Sequence, residues 1–265
     1  MVLFIKVNKN IFYISATILA ISAFILFVSI FNNKSAWLVW NNFHCERIAS
    51  ALEQNDPKLF FDIGNYYFGN GDYDLKRAES YYKKALFLEP SLEGLHYQLA
   101  RVYFIKNELS LARYEINKEL ELHPDLKRSY YVRGLINGYD NNLDGAIEDF
   151  TEFLKWSPES WAGHNDLAWI YFKKGNYEKS LATSEEGLKY YAGSVWLLNS
   201  KGVALINLGR KEEAKIVLSQ ALLIAEGMSA EDWGKSYPGN NPDVYIDGLE
   251  AMKISIKRNL ALAGN

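Results

Sequence analysis

The chain is nearly without cysteine: Cys45 is the one thiol in 265 residues. No intramolecular disulfide can form, and no cysteine zinc site can be assembled from it. Histidine is scarce too. His44, His96, His123 and His164 include no pair at the i, i+4 spacing of a zinc-binding helix, and none stands in a metal-ligand motif. There is no Gly-x-Ser-x-Gly and no phosphate-binding glycine loop, so the usual footholds of hydrolase and nucleotide chemistry are missing. A basic excess is also missing, since 29 lysines and arginines face 32 aspartates and glutamates. Residues 1–33 hold Lys6 and Lys9 and no acid, which leaves the rest of the chain at a net charge of about −5. A domain of that sign lacks the electrostatic footprint of nucleic-acid binding. The acids alternate with Lys and Arg along helical stretches, the pattern of a solvated face. Neither an enzyme nor a cofactor is expected.

Charge is absent altogether from Ile11 to Phe31, a run of 21 residues of which thirteen are Leu, Ile, Phe or Val. As a helix this run would reach roughly 30 Å, the thickness of a bilayer's hydrocarbon core. Its apolar side chains would favour insertion by very roughly 6 kcal/mol. A cleaved signal peptide would have a shorter apolar stretch ending in a small-x-small site, and Asn32-Asn33-Lys34-Ser35-Ala36 fits that poorly. The expectation is a transmembrane anchor over 11–31, with the membrane as a partner and Trp37 and Trp40 at its interface. Lys6 and Lys9 against Lys34 would place residues 1–10 in the cytoplasm and the remainder across a plasma or inner membrane, as a single-pass protein.

Proline gives the first sign of order beyond the anchor. Pro90, Pro124 and Pro158 are each 34 residues apart, and a fixed interval of this size marks a solenoid. Small residues keep the same register: Gly64, Ala100, Gly134, Ala168 and Gly202 early in each unit, and Ala78, Ala112, Ala146, Ser180 and Ala214 later. Such residues let two antiparallel helices approach closely, with aromatics such as Tyr82, Tyr103 and Phe150 filling the space beside them. Gly71, Asn107, Asn141, Gly175 and Gly209 fall between the helices, where a left-handed backbone is expected.

The motifs Asn165-Asp166-Leu167-Ala168-Trp169-Ile170-Tyr171 with Gly175-Asn176-Tyr177, and Asp72-Tyr73 with Ala78, Tyr82, Ala85-Leu86 and Pro90, resemble the tetratricopeptide repeat family. The resemblance covers about residues 57–226. It departs from the family at Glu119 and Phe153, which replace a small residue near the end of the second helix. It implies an all-α, right-handed superhelical solenoid of five units, at 57–90, 91–124, 125–158, 159–192 and 193–226. A juxtamembrane capping helix is expected within 32–56. A loop at 227–242 and a helix over 243–262, carrying Leu249, Met252, Ile256 and Leu260 on one stripe, would form a C-terminal cap over 227–265.

In the resembled family the inner face of each first helix lines a groove for peptide segments. Carried over by register, the candidate lining is Phe61, Asn65, Phe68, Tyr97, Arg101, Phe104, Arg128, Tyr131, Tyr139, Asn165, Trp169, Phe172, Trp196 and Asn199. Aromatic residues are enriched at interface hot spots, so the implied partner is a protein or peptide segment with apolar or aromatic side chains. Only Asn65 and Arg128 fit the carboxylate-clamping residues of the chaperone-binding members, which disfavours that mode. The implied function is a non-catalytic scaffold or assembly adaptor. The alternative is a structural spacer or oligomer subunit whose groove is filled by its own C-terminal segment.

Overall fold

A computed structural model describes residues 34–236 and 245–264. Every regular element among them is a helix, and the one β-type contact is an isolated bridge between Phe68 and Tyr73. Helix α1 (34–43) is followed by α2 (Glu46–Leu52). Then come five antiparallel pairs: α3 (Pro57–Tyr67) with α4 (Leu75–Leu88), α5 (Leu95–Ile105) with α6 (Leu109–Leu122), α7 (Arg128–Tyr139) with α8 (Leu143–Trp156), α9 (Trp161–Lys173) with α10 (Tyr177–Tyr190), and α11 (Val195–Asn207) with α12 (Lys211–Gly227). The short α13 (Ala230–Lys235) and the long α14 (Tyr245–Gly264) close the chain.

Local chemistry starts and stops these helices. The side chains of Asp56, Asp74, Asn142, Ser160, Asn176 and Ser194 each accept a backbone N–H from the first turn of the helix that follows, satisfying donors that have no partner within the helix. At the other end, Asn107, Asn141, Gly175 and Gly209 have φ between 60° and 75°, the left-handed conformation that ends a helix and reverses the chain. The first unit departs from this. Its turn is four residues longer, and Gly69 rather than Gly71 takes the positive φ.

Within each pair the small residues do what their register predicts. Ala78, Ala112, Ala146, Ser180 and Ala214 are all buried. A Cβ on Gly64 would lie 2.5 Å from Cε1 of Tyr82, a fully buried ring whose hydroxyl donates to Asn65 Oδ1 at 2.9 Å. The same helix crossing in the third pair sets Gly134 against Phe150. Absence of a side chain on one helix is the space an aromatic ring fills on the other.

Two expectations about the ends change. The helix expected within 32–56 is broken at His44, whose φ is 49°, so α1 and α2 are separate. The region expected as loop at 227–242 contains α13, fixed by a capping box in which Ser229 and Asp232 satisfy each other's backbone. Helix α14 packs its Met252, Ile256 and Leu260 stripe on α11 and α12, as expected of a cap.

The single-pass membrane localisation is corrected. Among the described residues no helix is long and apolar enough to cross a membrane. The longest, α14, has 20 residues but carries Asp247, Glu250, Lys253, Lys257 and Arg258. The stretch 11–31, on which the anchor expectation rests, lies outside the described residues. Trp37 and Trp40, expected at a membrane interface, belong to the solenoid. Trp40 is buried, and its indole donates to Asp62 at 2.6 Å, while Trp37 donates to Asp56 at 2.8 Å.

Candidate protein-interaction groove

The first helices of consecutive pairs pack side by side, α5 on α7, α7 on α9 and α9 on α11. The residues expected to line the groove lie along the first helices of the pairs or just after them.

At the N-terminal end, rings and guanidinium groups alternate. Arg101 lies 4.5 Å from the centre of the Phe68 ring and 5.5 Å from that of Tyr97, and Arg128 lies 4.7 Å from Tyr97 on its other neighbour. Each contact of this kind is worth about 0.5–2 kcal/mol, more when desolvated. The stack explains why Phe68 is buried rather than open to the groove. Phe61 is half-buried against Tyr82. Asn65 is occupied within the fold, its Oδ1 accepting from Tyr82 Oη and from Gln98 Nε2.

Further along, Phe104, Tyr139 and Trp169 form a continuous chain of rings, 5.2 and 5.4 Å between centres. Tyr139 is 60% exposed. Phe172 packs on Tyr177 and Trp196 on Trp161. Tyr131 packs on Phe150 and Phe153 and donates from Oη to Asp166 at 2.6 Å. Asn165 accepts from Ser200, and Asn199 accepts from Asn259 of α14 at 2.9 Å. Of the fourteen candidates, Phe68 is buried and Asn65 is held within the fold, while Phe61, Tyr97, Phe104, Tyr131 and Trp169 are half-buried against the core and Tyr139 is exposed.

Two cavities open between α9, α11 and α14. The larger, about 290 Å³, is bounded by Tyr139, Asp166, Trp169, Trp196, Ser200 and Met252 among others. The second, about 190 Å³, lies between Phe172, Val203, Ser255 and Asn259 among others. The register argument misses Asp166, which stands one position after a groove column. It also misses Met252 and Asn259, which no repeat pattern can place. Burial pushes the Asp166 carboxyl up to about 6, against the pull of its hydrogen bonds from Tyr131 and Asn165. A raised carboxyl holds its proton longer folded than unfolded, so this group makes stability fall as pH rises from about 4 to about 6. Asp166→Asn is therefore expected to gain on the order of 2–3 kcal/mol relative to the native chain between pH 4 and pH 7. Urea unfolding of both at the two pH values checks this, and a gap independent of pH would refute it.

Histidine serves structure here. His96 Nε2 contacts the Pro90 carbonyl and Nδ1 the Glu115 carboxylate, and His164 Nε2 contacts the Pro158 carbonyl at 2.8 Å. Among the described residues no group of three or more His, Cys, Asp or Glu could hold a metal ion.

Two tetratricopeptide repeat models match residues 131–195 and 197–227. Those stretches are tetratricopeptide repeats. Relatives with the same repeat include the TPR repeat-containing protein YpiA of Bacillus subtilis, 25% identical over 183 residues, covering 68% of this chain and 42% of YpiA. RNA polymerase II-associated protein 3 of Xenopus laevis is 27% identical over 124 residues, covering 45% of this chain and 18% of that protein. The chain thus spans less than half the length of these curated relatives. Among solved structures, MamA superposes with a TM-score of 0.57 at 21% identity, covering 66% of this chain and 94% of MamA. YrrB, described as a TPR protein with an unusual peptide-binding site, gives 0.56 at 18%, covering 67% and 91%. A tetratricopeptide repeat protein from Parabacteroides merdae gives 0.60 at 17% and covers 88% of this chain and 98% of its own. At these identities the structures speak for the tetratricopeptide fold alone.

Proposed function

We propose that this tetratricopeptide protein is a non-catalytic interaction scaffold whose groove binds an extended segment of a partner protein. The observation that carries the reading is the run of rings from Phe104 through the exposed Tyr139 to Trp169. Rings held in a row on the inner face present large, rigid contact area that loses little entropy on binding. The segment bound there carries apolar or aromatic side chains against these rings. The lining extends from Phe61, Tyr97, Arg101 and Arg128 at one end to Phe172, Trp196 and Asn199 at the other. The description of YrrB as having a peptide-binding site is consistent with this use of the fold.

A second reading, a spacer with a self-filled groove, has one observation in its favour. Helix α14 bonds Asn199 through Asn259 and brings Met252 to the larger cavity. Among the described residues the main packing of α14 is on α12, α13 and α11, so it forms an end wall, and Tyr139 stays 60% exposed beside it.

Photocrosslinking separates the readings. A benzoylphenylalanine at position 139 should capture a protein, and capture should be suppressed by Tyr97→Glu. The same probe at Phe87, which is 88% exposed on α4, should capture nothing comparable. Equal capture from both positions, or none from 139, would overturn the groove reading.

A further inference from the structure

The larger cavity holds a carboxylate that the fold does not neutralise. Asp166 projects from α9, and its Oδ2 accepts from Tyr131 Oη at 2.6 Å, its Oδ1 from Asn165 Nδ2 at 3.2 Å. Both donors are uncharged, and Asp166 takes part in no ion pair among the described residues. Its neighbours in kind are treated differently: Asp149 receives the guanidinium of Arg133, and Asp144 the ammonium of Lys174. A carboxylate has about four acceptor positions, so two hydrogen bonds leave half its capacity unused beside the cavity that it lines. An unpaired charge in such a place is costly unless something outside the chain completes it.

The walls around it suit a cation. Trp169 and Tyr139 are in ring contact, 5.4 Å between centres, on the same cavity. Aromatic faces attract ammonium and guanidinium groups, and the chain already demonstrates this on Trp169. The Lys173 ammonium lies 4.9 Å from the centre of that ring while donating to the Gly138 carbonyl at 2.8 Å. Held by that carbonyl, Lys173 serves the rim and gives Asp166 no counter-charge. A volume of about 290 Å³ has room for one long side chain.

We infer that this cavity is a specificity pocket for a basic side chain of the bound segment, with Asp166 as its counter-charge and Trp169 and Tyr139 as its walls. Arginine fits better than lysine. Its planar fork can engage both free acceptor positions at once and stack on a ring, which a point-like ammonium cannot do. The inference rests on the groove reading and sharpens it. The ring chain takes apolar groups, and the position that falls over α9 takes a positive one.

The test is a selection of random twelve-residue peptides displayed on phage against the full 265-residue chain. Arginine should be enriched at one position of the selected peptides, with lysine behind it. Replacing that arginine by citrulline, which keeps the shape and removes the charge, should weaken binding to the native chain by about tenfold or more. The same exchange should have no effect on the Asp166→Asn protein. Tyr139→Leu, a change at an exposed ring, should reduce the arginine preference without disturbing the fold, and circular dichroism checks both variants. Peptides that bind through the groove, are abolished by Tyr97→Glu and tolerate citrulline would overturn the pocket and leave the groove reading standing. Failure to select any peptide, or selection of peptides indifferent to Tyr97→Glu, would overturn both.

Discussion

Replacing Glu119 by alanine is expected to cost about 3–5 kcal/mol of stability. The reason lies at the start of α5. That helix has Gly94 as its N-cap, so it has no side chain of its own to satisfy its first amides. The carboxylate of Glu119, fully buried on α6, does this from across the pair. One oxygen accepts from Gly94 N at 2.8 Å and the other from Tyr97 N at 3.0 Å. The negative group also faces the positive end of the helix dipole. Alanine would leave two buried donors without acceptors, each worth about 1–3 kcal/mol, and a void besides. Glutamine keeps one acceptor oxygen and should recover about half of the loss. Urea unfolding measures the sum, and hydrogen exchange at the Gly94 and Tyr97 amides locates it. A Glu119→Ala chain within about 0.5 kcal/mol of the native one would show that water replaces the carboxylate, and the capping argument would fail.

Glu119 also shows how far the sequence could be read. By register alone it is an error, a large acid where the helix crossing expects a small residue. Phe153 is another. The structure resolves both through a compensation ten residues further on. Phe153 meets Gly163, where a Cβ would lie 3.1 Å from the ring, and Gly187 meets Leu197, where a Cβ would lie 2.9 Å from a methyl. Large and small have exchanged places between the second helix of one unit and the first helix of the next. Opposite Glu119 the same position holds Ser129, which is fully buried. Volume is kept constant across each junction while either side varies, as close-packed interiors require. A repeat pattern records one side of this exchange at a time and so reports a fault.

The repeat itself was legible because its signals are local. Asparagine and glycine at the turns, the small residues at the crossings and the proline interval each act within a few residues of where they stand. The ends were less legible. The break at His44 goes with tilted ring contacts to Trp40 and Tyr66, and the cap at α13 lies in a stretch that reads as irregular. Tryptophans near an apolar run suggested an interface, yet Trp37 and Trp40 are drawn into the first unit by Asp56 and Asp62. Of the groove, the sequence supplied the ring chain but not Asp166. That residue's meaning lies in what surrounds it: Tyr131 thirty-five residues before, and Met252 from a helix outside the repeat.

Removing the carboxylate of Asp149 is expected to cost about 3–4 kcal/mol. Asp149 is buried on α8 and receives Nε and Nη2 of Arg133 at 3.0 and 2.7 Å, together with Nδ2 of Asn137 at 2.8 Å. Asn137 in turn accepts from Arg113 of α6, which also pairs with Asp140. The chain of polar groups therefore runs from the second unit into the third. Asp149→Ala strands a partly buried guanidinium and an amide at once, and the Arg133 side chain, 30% exposed, can recover only part of its hydration. The loss should fall on the junction as well as on the third pair, because Asn137 would then hold Arg113 with only one of its own sides fixed. The pair is not expected to be a net source of stability, since desolvating two charges offsets most of their attraction. Asp149→Leu combined with Arg133→Met should accordingly cost about 1 kcal/mol or less, well below the single change. What the network would lose in the double variant is register between the units. That loss should appear as a less cooperative urea transition, because the bonds from Arg113 to Asn137 and Asp140 that remain no longer lead on to a fixed partner on α8. A double variant as damaged as Asp149→Ala, with unchanged cooperativity, would mean that these residues act through their volume and that their charges serve no purpose at the junction.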